Sequence, residues 1–279
     1  MNQPNKADLY YRESINNILE NGHWDENPRP KWKDGVPARS LFITQVMERY
    51  DISKGEFPIT TLRNTAVKTG IKEILWIYQG QNSSLEDAHA RGINWWDEWD
   101  IGDGTIGQRY GATIAKHDLM NKLLDSLKND PFSRRHIISL YQYDDMNATK
   151  GLHPCAYETL WSVRRDGMNL VLDMTMIQRS QDYIAASQIN KIQYVALQMM
   201  VASHLGYKVG VFCHYVHNLH IYDRHIPAAK TLLTRECLDE QPSIRLKSDK
   251  SFYDFTIDDF EVLGASNIPK LEEKLEIAV

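Results

Sequence analysis

Cysteine is scarce in this 279-residue sequence: Cys155, Cys213 and Cys237 form an odd set without paired spacing, which argues against a disulfide framework and fits a reducing compartment. No stretch approaches the roughly 20 uninterrupted apolar residues of a membrane helix, and the opening MNQPNKADLYYRES lacks an apolar signal region. A cytoplasmic protein without a membrane partner is expected. Positive charge is not in surplus either. With a net charge of -5, long nucleic acid is not an expected partner, and a small anion would need a local cluster of arginines. Internal repeats, low-complexity tracts and Gly/Ser linkers are also missing. The 42% hydrophobic content lets the chain bury a large core, and one catalytic domain over 1–279 is expected.

What is present is an uneven mixture of helical and strand-like spacing. Apolar residues recurring at three to four over 64 to 80 predict a helix with Glu73 among them, where burial would raise its pKa. Residues 117 to 128 predict a short amphipathic helix, and 190 to 205 a buried one opened by Asn190 and closed near Gly206. Strand-like runs cover 41 to 50, 136 to 143, 159 to 163, 169 to 177, 210 to 217 and 252 to 262. Helices and strands do not alternate regularly, which predicts an α+β fold with a mixed sheet layered with helices.

Several segments carry candidate chemistry. Cys155 in LHPCAYETLW fits a packed core thiol or a nucleophile; the second role needs a nearby cation to hold a thiolate, and arginines are dense at Arg134, Arg135, Arg164, Arg165 and Arg179. In DPFSRRH the adjacent guanidiniums repel, so they are most stable beside an anion or as a surface pair bound to acids. QRSQDYIAASQIN offers Arg179 and Ser180 to a phosphate, while Asn190 has the donor and acceptor that suit a uracil edge, or serves as a helix cap. CHYVHNLHIYDRH holds four histidines and invites a zinc reading. On a strand, however, His214 and His220 share one face and His217 and His225 the other, and no CxxC or acidic pair accompanies them, so no metal is expected. The loop over 22 to 39 interleaves Arg29, Lys31, Lys33 and Arg39 with Trp24 and Trp32, as a binding loop or a solvated basic one. Trp95, Trp96 and Trp99, followed by Tyr110, offer faces for a flat heterocycle or pack a core. The apolar end at Val279 is expected to dock.

The order and wording of these segments resemble the folate-dependent thymidylate synthases over nearly the whole chain. The landmarks are FPITTLR, KEILWIYQG, WDEW, GTIGQRYG, DPFSRR, HPCAYE, QRSQD, the IN ahead of a helix, HIYDRH and FYDFTIDDF. The loop from Arg29 to Ala38 is similar to that of bacterial members. By this resemblance Cys155 adds to C6 of dUMP and makes C5 nucleophilic toward the methylene of 5,10-methylenetetrahydrofolate. Glu73 would organise water for proton transfers, Tyr110 would assist proton removal at C5, Trp96 would border the folate, Asp182 would meet the pterin, and the Val279 end would close the site. Arg29, Arg179 and Ser180 would hold the phosphate, joined by Arg134 and Arg135 from the other subunit of an obligate homodimer with a sheet face at its interface. Asn190 would read the uracil edge, and His220 and Tyr222 the sugar 3′-hydroxyl.

Departures from the family pattern gather near the folate: Ala156 after the nucleophile, Ala185 to Ile189, and Asn218 with Leu219 where an Asp is usual. The homologous dCMP hydroxymethylases also lack that Asp, so a dUMP hydroxymethylase releasing tetrahydrofolate stands as the alternative. Asn190 favours uracil over cytosine, and the IAV ending favours a water-tight site and therefore methyl transfer.

Overall fold

A computed structural model describes residues 4–279. In chain order the elements are α1 (Lys6–Asn21), β1 (His23–Trp24), β2 (Ser40–Asp51), α2 (Val67–Leu75), α3 (Leu85–Ala90), α4 (Gly111–His117), α5 (Leu119–Asn129), β3 (Ile137–Ser139), α6 (Tyr143–Ala148), β4 (Ala156–Asp166), β5 (Asn169–Asp182), α7 (Ser187–Leu205), β6 (Lys208–Tyr222), α8 (Ile226–Thr234), β7 (Ser243–Leu246) and β8 (Phe260–Leu263). The first six strands form one mixed sheet in the order β1-β2-β6-β5-β4-β3, as an α+β fold requires. Only β5 and β6 run parallel.

That parallel pair sets the layout, because parallel neighbours need a crossover and α7 supplies it. The helix is buried on almost every side, including its Lys191 and Gln198. Its apolar residues pack with Leu172, Met174, Met176 and Phe212 of the sheet. On its other flank runs α2, so close at Gly70 that an added Cβ would lie 3.1 Å from Ile189 Cγ2. Strand alternation divides the sheet into two faces. Along β5, Met174, Met176 and Gln178 are buried while Thr175, Ile177 and Arg179 are half-exposed; along β6, Phe212, His214 and Val216 alternate with Cys213 and Tyr215. A second apolar cluster joins Tyr11, Ile15 and Ile18 of α1 to Ala228, Ala229 and Leu232 of α8 over the ends of β2 and β6.

Several predicted elements differ from those observed. The run over 136 to 143 is strand only at Ile137–Ser139, because the next residues turn into α6, whose first turn carries Asp144 and Asp145. Most of 252 to 262 forms two 3-10 turns. Asp259 and Thr256 cap the second reciprocally, so local hydrogen bonds displace the ladder until Phe260. The helix over 64 to 80 ends as α2 at Leu75 and continues as a π turn, Trp76–Gly80, closed by the left-handed Gln81. Gly206 does close α7 in the left-handed conformation. The helix opens at Ser187, however, so Asn190 lies in its first turn and its amide is not used as a cap.

Candidate active site

Beyond the carboxyl ends of β5 and β6 lies a cavity of about 780 Å³, where open sheets commonly hold ligands. Cys155, Glu73, Tyr110, Asp182, Arg29, Arg179, Ser180, Asn190, His220, Tyr222, Trp96 and Val279 all line it. Arg134 and Arg135 do not. They are exposed on the turn before β3, and neither has a hydrogen-bond or ion-pair partner among the described residues.

Cys155 immediately precedes β4, and its carbonyl accepts from Arg179 N–H at 2.9 Å, which fixes the thiol beside the end of β5. The Arg179 guanidinium wraps the same turn: Nε donates to Pro154 O at 3.0 Å, Nη2 donates to His153 O at 2.8 Å, and Nη2 lies 3.5 Å from Sγ. Burial pushes the Cys155 thiol up, while Arg179 and Arg29 pull it partly back. The resting sulfur therefore keeps its proton, and a base must remove it as the sulfur attacks. Cys155 N–H donates to Tyr110 Oη at 3.1 Å, which leaves the phenol proton free to face the cavity. Tyr110 holds φ 46° and ψ -108°, a strained conformation for a residue with a side chain. Gly111 behind it is indispensable for packing, since a Cβ there would meet Asn82 O at 2.4 Å.

Glu73 sits on the buried face of α2, where the apolar spacing places it, and receives the Trp95 indole N–H. Burial raises its carboxyl to about 7 against the opposing pull of Trp95, Gln193 and Trp96. The last two face it without reaching hydrogen-bond geometry. Trp96 packs edge-on to Tyr110 at 5.2 Å and to Trp99 at 5.4 Å, an aromatic wall beside the carboxyl.

Asn190 joins this wall to the sheet. Its Nδ2 donates to Gln193 Oε1 at 3.2 Å and its Oδ1 accepts from Gln178 Nε2 at 3.2 Å. One lone pair and one N–H remain for the cavity. On the far side His220 Nδ1 donates to Asn218 Oδ1 at 3.1 Å, and its ring meets Tyr222 at 4.9 Å.

Asp182 Oδ1 accepts from the backbone N–H groups of Ile184 and Ala185 at 3.1 and 3.0 Å. Its Oδ2 lies 3.5 Å from His225 Nδ1. Burial opposes the Asp182 charge, but His225, His220 and the amides outweigh it and hold the carboxyl below its ordinary value. Burial likewise opposes the charge on His225, yet Asp182 raises it. The opposite nitrogen, Nε2, donates to Glu276 O at 2.9 Å, so the acid is coupled to the tail. Lys31 and Val279 exchange backbone bonds of 2.7 and 3.0 Å, and Arg224 pairs with Glu276 at 2.9 Å while its guanidinium covers the Trp32 ring. The docked end expected from the apolar terminus is present, and the basic loop is what it docks on.

The histidines of 214 to 225 do not converge. His214 meets Gln178, His217 meets Gln45, His220 meets Asn218 and His225 meets Asp182. The expected facing fails for His225, which lies past β6 in a 3-10 turn. Among the described residues no group of three or more His, Cys, Asp or Glu side chains gathers in a way that could hold a metal ion. Gln193 and His225 were missed as site residues, and Trp95, expected only as an aromatic face, also donates to Glu73. Gln193 had a signal, since it stands one turn from Asn190 on the predicted helix.

The thymidylate synthase family model matches residues 9–278. The chain belongs to the thymidylate synthase family. It is 48% identical over 278 residues to a thymidylate synthase of Streptococcus gordonii, covering 98% of this chain and 99% of that one. The figures are the same for a thymidylate synthase of Lactococcus lactis subsp. lactis. Among solved structures it is similar to thermostable thymidylate synthase A from Bacillus subtilis, with a TM-score of 0.86 and 37% identity over 98% of this chain and 99% of that one. These relatives favour the synthase over the hydroxymethylase.

Proposed function

We propose that this chain is a thymidylate synthase, forming dTMP and dihydrofolate from dUMP and 5,10-methylenetetrahydrofolate, and that the cavity is its active site. The observation that carries the assignment of the site is the Cys155 thiol, 3.5 Å from the Arg179 guanidinium in the cavity wall that also holds the Asn190 amide.

In this reading the folate is a co-substrate that gives up both its one-carbon unit and a hydride. Arg29, Arg179 and Ser180 bind the dUMP phosphate, His220 and Tyr222 the sugar hydroxyl, and Asn190 the O4 and N3–H edge. Cys155 gives up its proton to the water ordered by Glu73 as its sulfur bonds to C6, and the electron pair displaced from the C5–C6 double bond makes C5 the nucleophile. C5 then bonds to the methylene carbon as its first carbon–nitrogen bond to the folate breaks. Tyr110 assists loss of the C5 proton as the second breaks, leaving an exocyclic methylene and tetrahydrofolate, whose hydride reduces the methylene as release of Cys155 restores the C5–C6 double bond. Glu73, protonated or ionised near neutral pH, orders the water that relays these protons. Trp96 and Asp182 hold the pterin, and the tail ending at Val279 excludes water until hydride rather than hydroxide completes the methyl group. The test is mass spectrometry of the products: dTMP with dihydrofolate is expected, whereas 5-hydroxymethyl-dUMP with tetrahydrofolate would overturn methyl transfer.

The chain acts in this reading as one catalytic domain in the cytoplasm and as a homodimer. No described helix is long and apolar enough to cross a membrane. Support for the dimer comes from the half-exposed sheet face, with Met47 and Ile137 exposed, and from the unpartnered Arg134 and Arg135 outside their own cavity. Arginines given across the interface would complete the partner's phosphate site. A Cys155→Ala chain mixed with an Arg134→Ala/Arg135→Ala chain, each inactive alone, is expected to regain activity on refolding together, because one site per mixed dimer is intact. No regain would exclude the crosswise contribution.

A further inference from the structure

Behind the cavity lies a buried ionic group that the reaction does not use. Lys191 Nζ bonds Glu48 Oε2 at 2.6 Å with both side chains removed from solvent. Tyr50 Oη donates to the same oxygen at 2.5 Å, and Tyr183 Oη lies 3.0 Å from Glu48 Oε1. Burial opposes both charges. At Glu48 the Lys191 ammonium and the Tyr50 hydroxyl outweigh it and keep the carboxyl low, while at Lys191 burial prevails and draws the ammonium down. Apolar residues of similar volume usually serve a core as well as such a pair or better, so packing alone does not account for it.

Its connections do. Lys191 follows Asn190 in the chain and Tyr183 follows Asp182, so Glu48 ties down both ends of the link between β5 and α7. Glu48 also stands opposite His214 across the β2–β6 ladder. His214 Nε2 lies 3.0 Å from Gln178 Oε1, which accepts from Gln181 Nε2 as well at 3.2 Å. Burial drives the His214 pKa down to about 3, so the ring is neutral and carries one N–H. A carbonyl oxygen only accepts, which puts that hydrogen on Nε2 and leaves the buried Nδ1 without a partner. With two donors on its oxygen, Gln178 turns its Nε2 toward Asn190 Oδ1.

We propose that Glu48, Lys191 and His214 are positioning residues that lock the amide rotation of Asn190 and thereby set the preference for uracil over cytosine. The inference rests on the reading of Asn190 as the base reader. Uracil presents a donor at N3 and an acceptor at O4, which the locked amide matches; cytosine presents the reverse pattern and needs the amide flipped. Flipping would place Nδ2 against Gln178 Nε2 and Oδ1 against Gln193 Oε1, two like-for-like clashes. Without the His214 hydrogen bond, Gln178 can rotate with Asn190 and the barrier to cytosine falls.

The experiment measures dissociation constants of the full-length protein for dUMP and dCMP. In His214→Phe the ratio of the dCMP to the dUMP constant is expected to shrink about five- to tenfold, the scale of one neutral hydrogen bond. His214→Gln, which keeps an N–H donor, should restore it, and Glu48→Gln/Lys191→Met should shift it in the same direction as His214→Phe. A ratio unchanged in both disrupting variants, or an equal loss of both nucleotides, would mark the group as scaffold and overturn the proposal. Should His214→Phe not fold, the Glu48→Gln/Lys191→Met ratio decides alone. Asn190→Asp separates the two levels: if it fails to move preference toward dCMP, the reading of Asn190 falls, whereas a shift there with none in the buried variants refutes only the lock.

Discussion

Cys155→Ala is expected to lower kcat on the order of 10⁴-fold or more, the scale of losing a nucleophile, while dUMP continues to bind. Binding should survive because the contacts that shape the turn are backbone contacts. Cys155 N–H still reaches Tyr110, its carbonyl still accepts from Arg179 N–H, and the guanidinium keeps both carbonyls at 153 and 154. Only the sulfur is removed. The variant should also fail to debrominate 5-bromo-dUMP, a reaction that needs thiol addition at C6 and no folate. Cys213→Ser lies on the half-exposed sheet face and should not lower turnover in the same way. Turnover of Cys155→Ala within tenfold of the parent would end the covalent mechanism.

Glu73→Gln carries the second large effect, and it acts on rate and stability in opposite directions. The amide fits the same space and still accepts from Trp95, but it cannot exchange protons with ordered water, so kcat should fall about 10²- to 10⁴-fold. Stability should rise. The folded pKa, about 7, stands above the ordinary carboxyl value of 4.5, so the stability linked to this group is fully present below about pH 4.5 and lost as pH rises to 7. The glutamine variant has no such loss. Its advantage in urea unfolding should approach about 3 kcal/mol at pH 8, from roughly 1.4 kcal/mol per pKa unit, and vanish near pH 4.5. A variant less stable than the parent at pH 8 would contradict the burial account of Glu73.

How much of this was legible in the sequence depended on the range of the contact. The burial of Glu73 followed from spacing within one helix, because Ile71, Ile74 and Leu75 share its buried side. Spacing also marks α1, where Ala7, Tyr11, Ile15 and Ile18 form one buried stripe. Cys155 could not be assigned from its neighbours, since its cation is 24 residues away and arrives through strand pairing; the resemblance supplied that role. The departures around Asn218 raised the hydroxymethylase reading, and the synthase relatives decided against it. The coupling of Asp182 to the tail through His225 had no local signature, as its partners are separated by 51 residues. The strand expected over 252 to 262 gives way where Asp259 satisfies the backbone locally, a competition that apolar alternation does not register, and the one over 136 to 143 stops short where α6 begins.

The aromatic wall has a spectroscopic consequence. Of seven tryptophans, Trp95, Trp96 and Trp99 line the cavity and Trp32 lies under Arg224, which pairs with Glu276 of the docked tail, whereas Trp161 is buried in the sheet core. A pterin held against that wall, as proposed above, would quench nearby indole emission, with Trp161 as a steadier background. The protein thus carries its own optical reporter, and folate occupancy can be titrated by intrinsic fluorescence without a label.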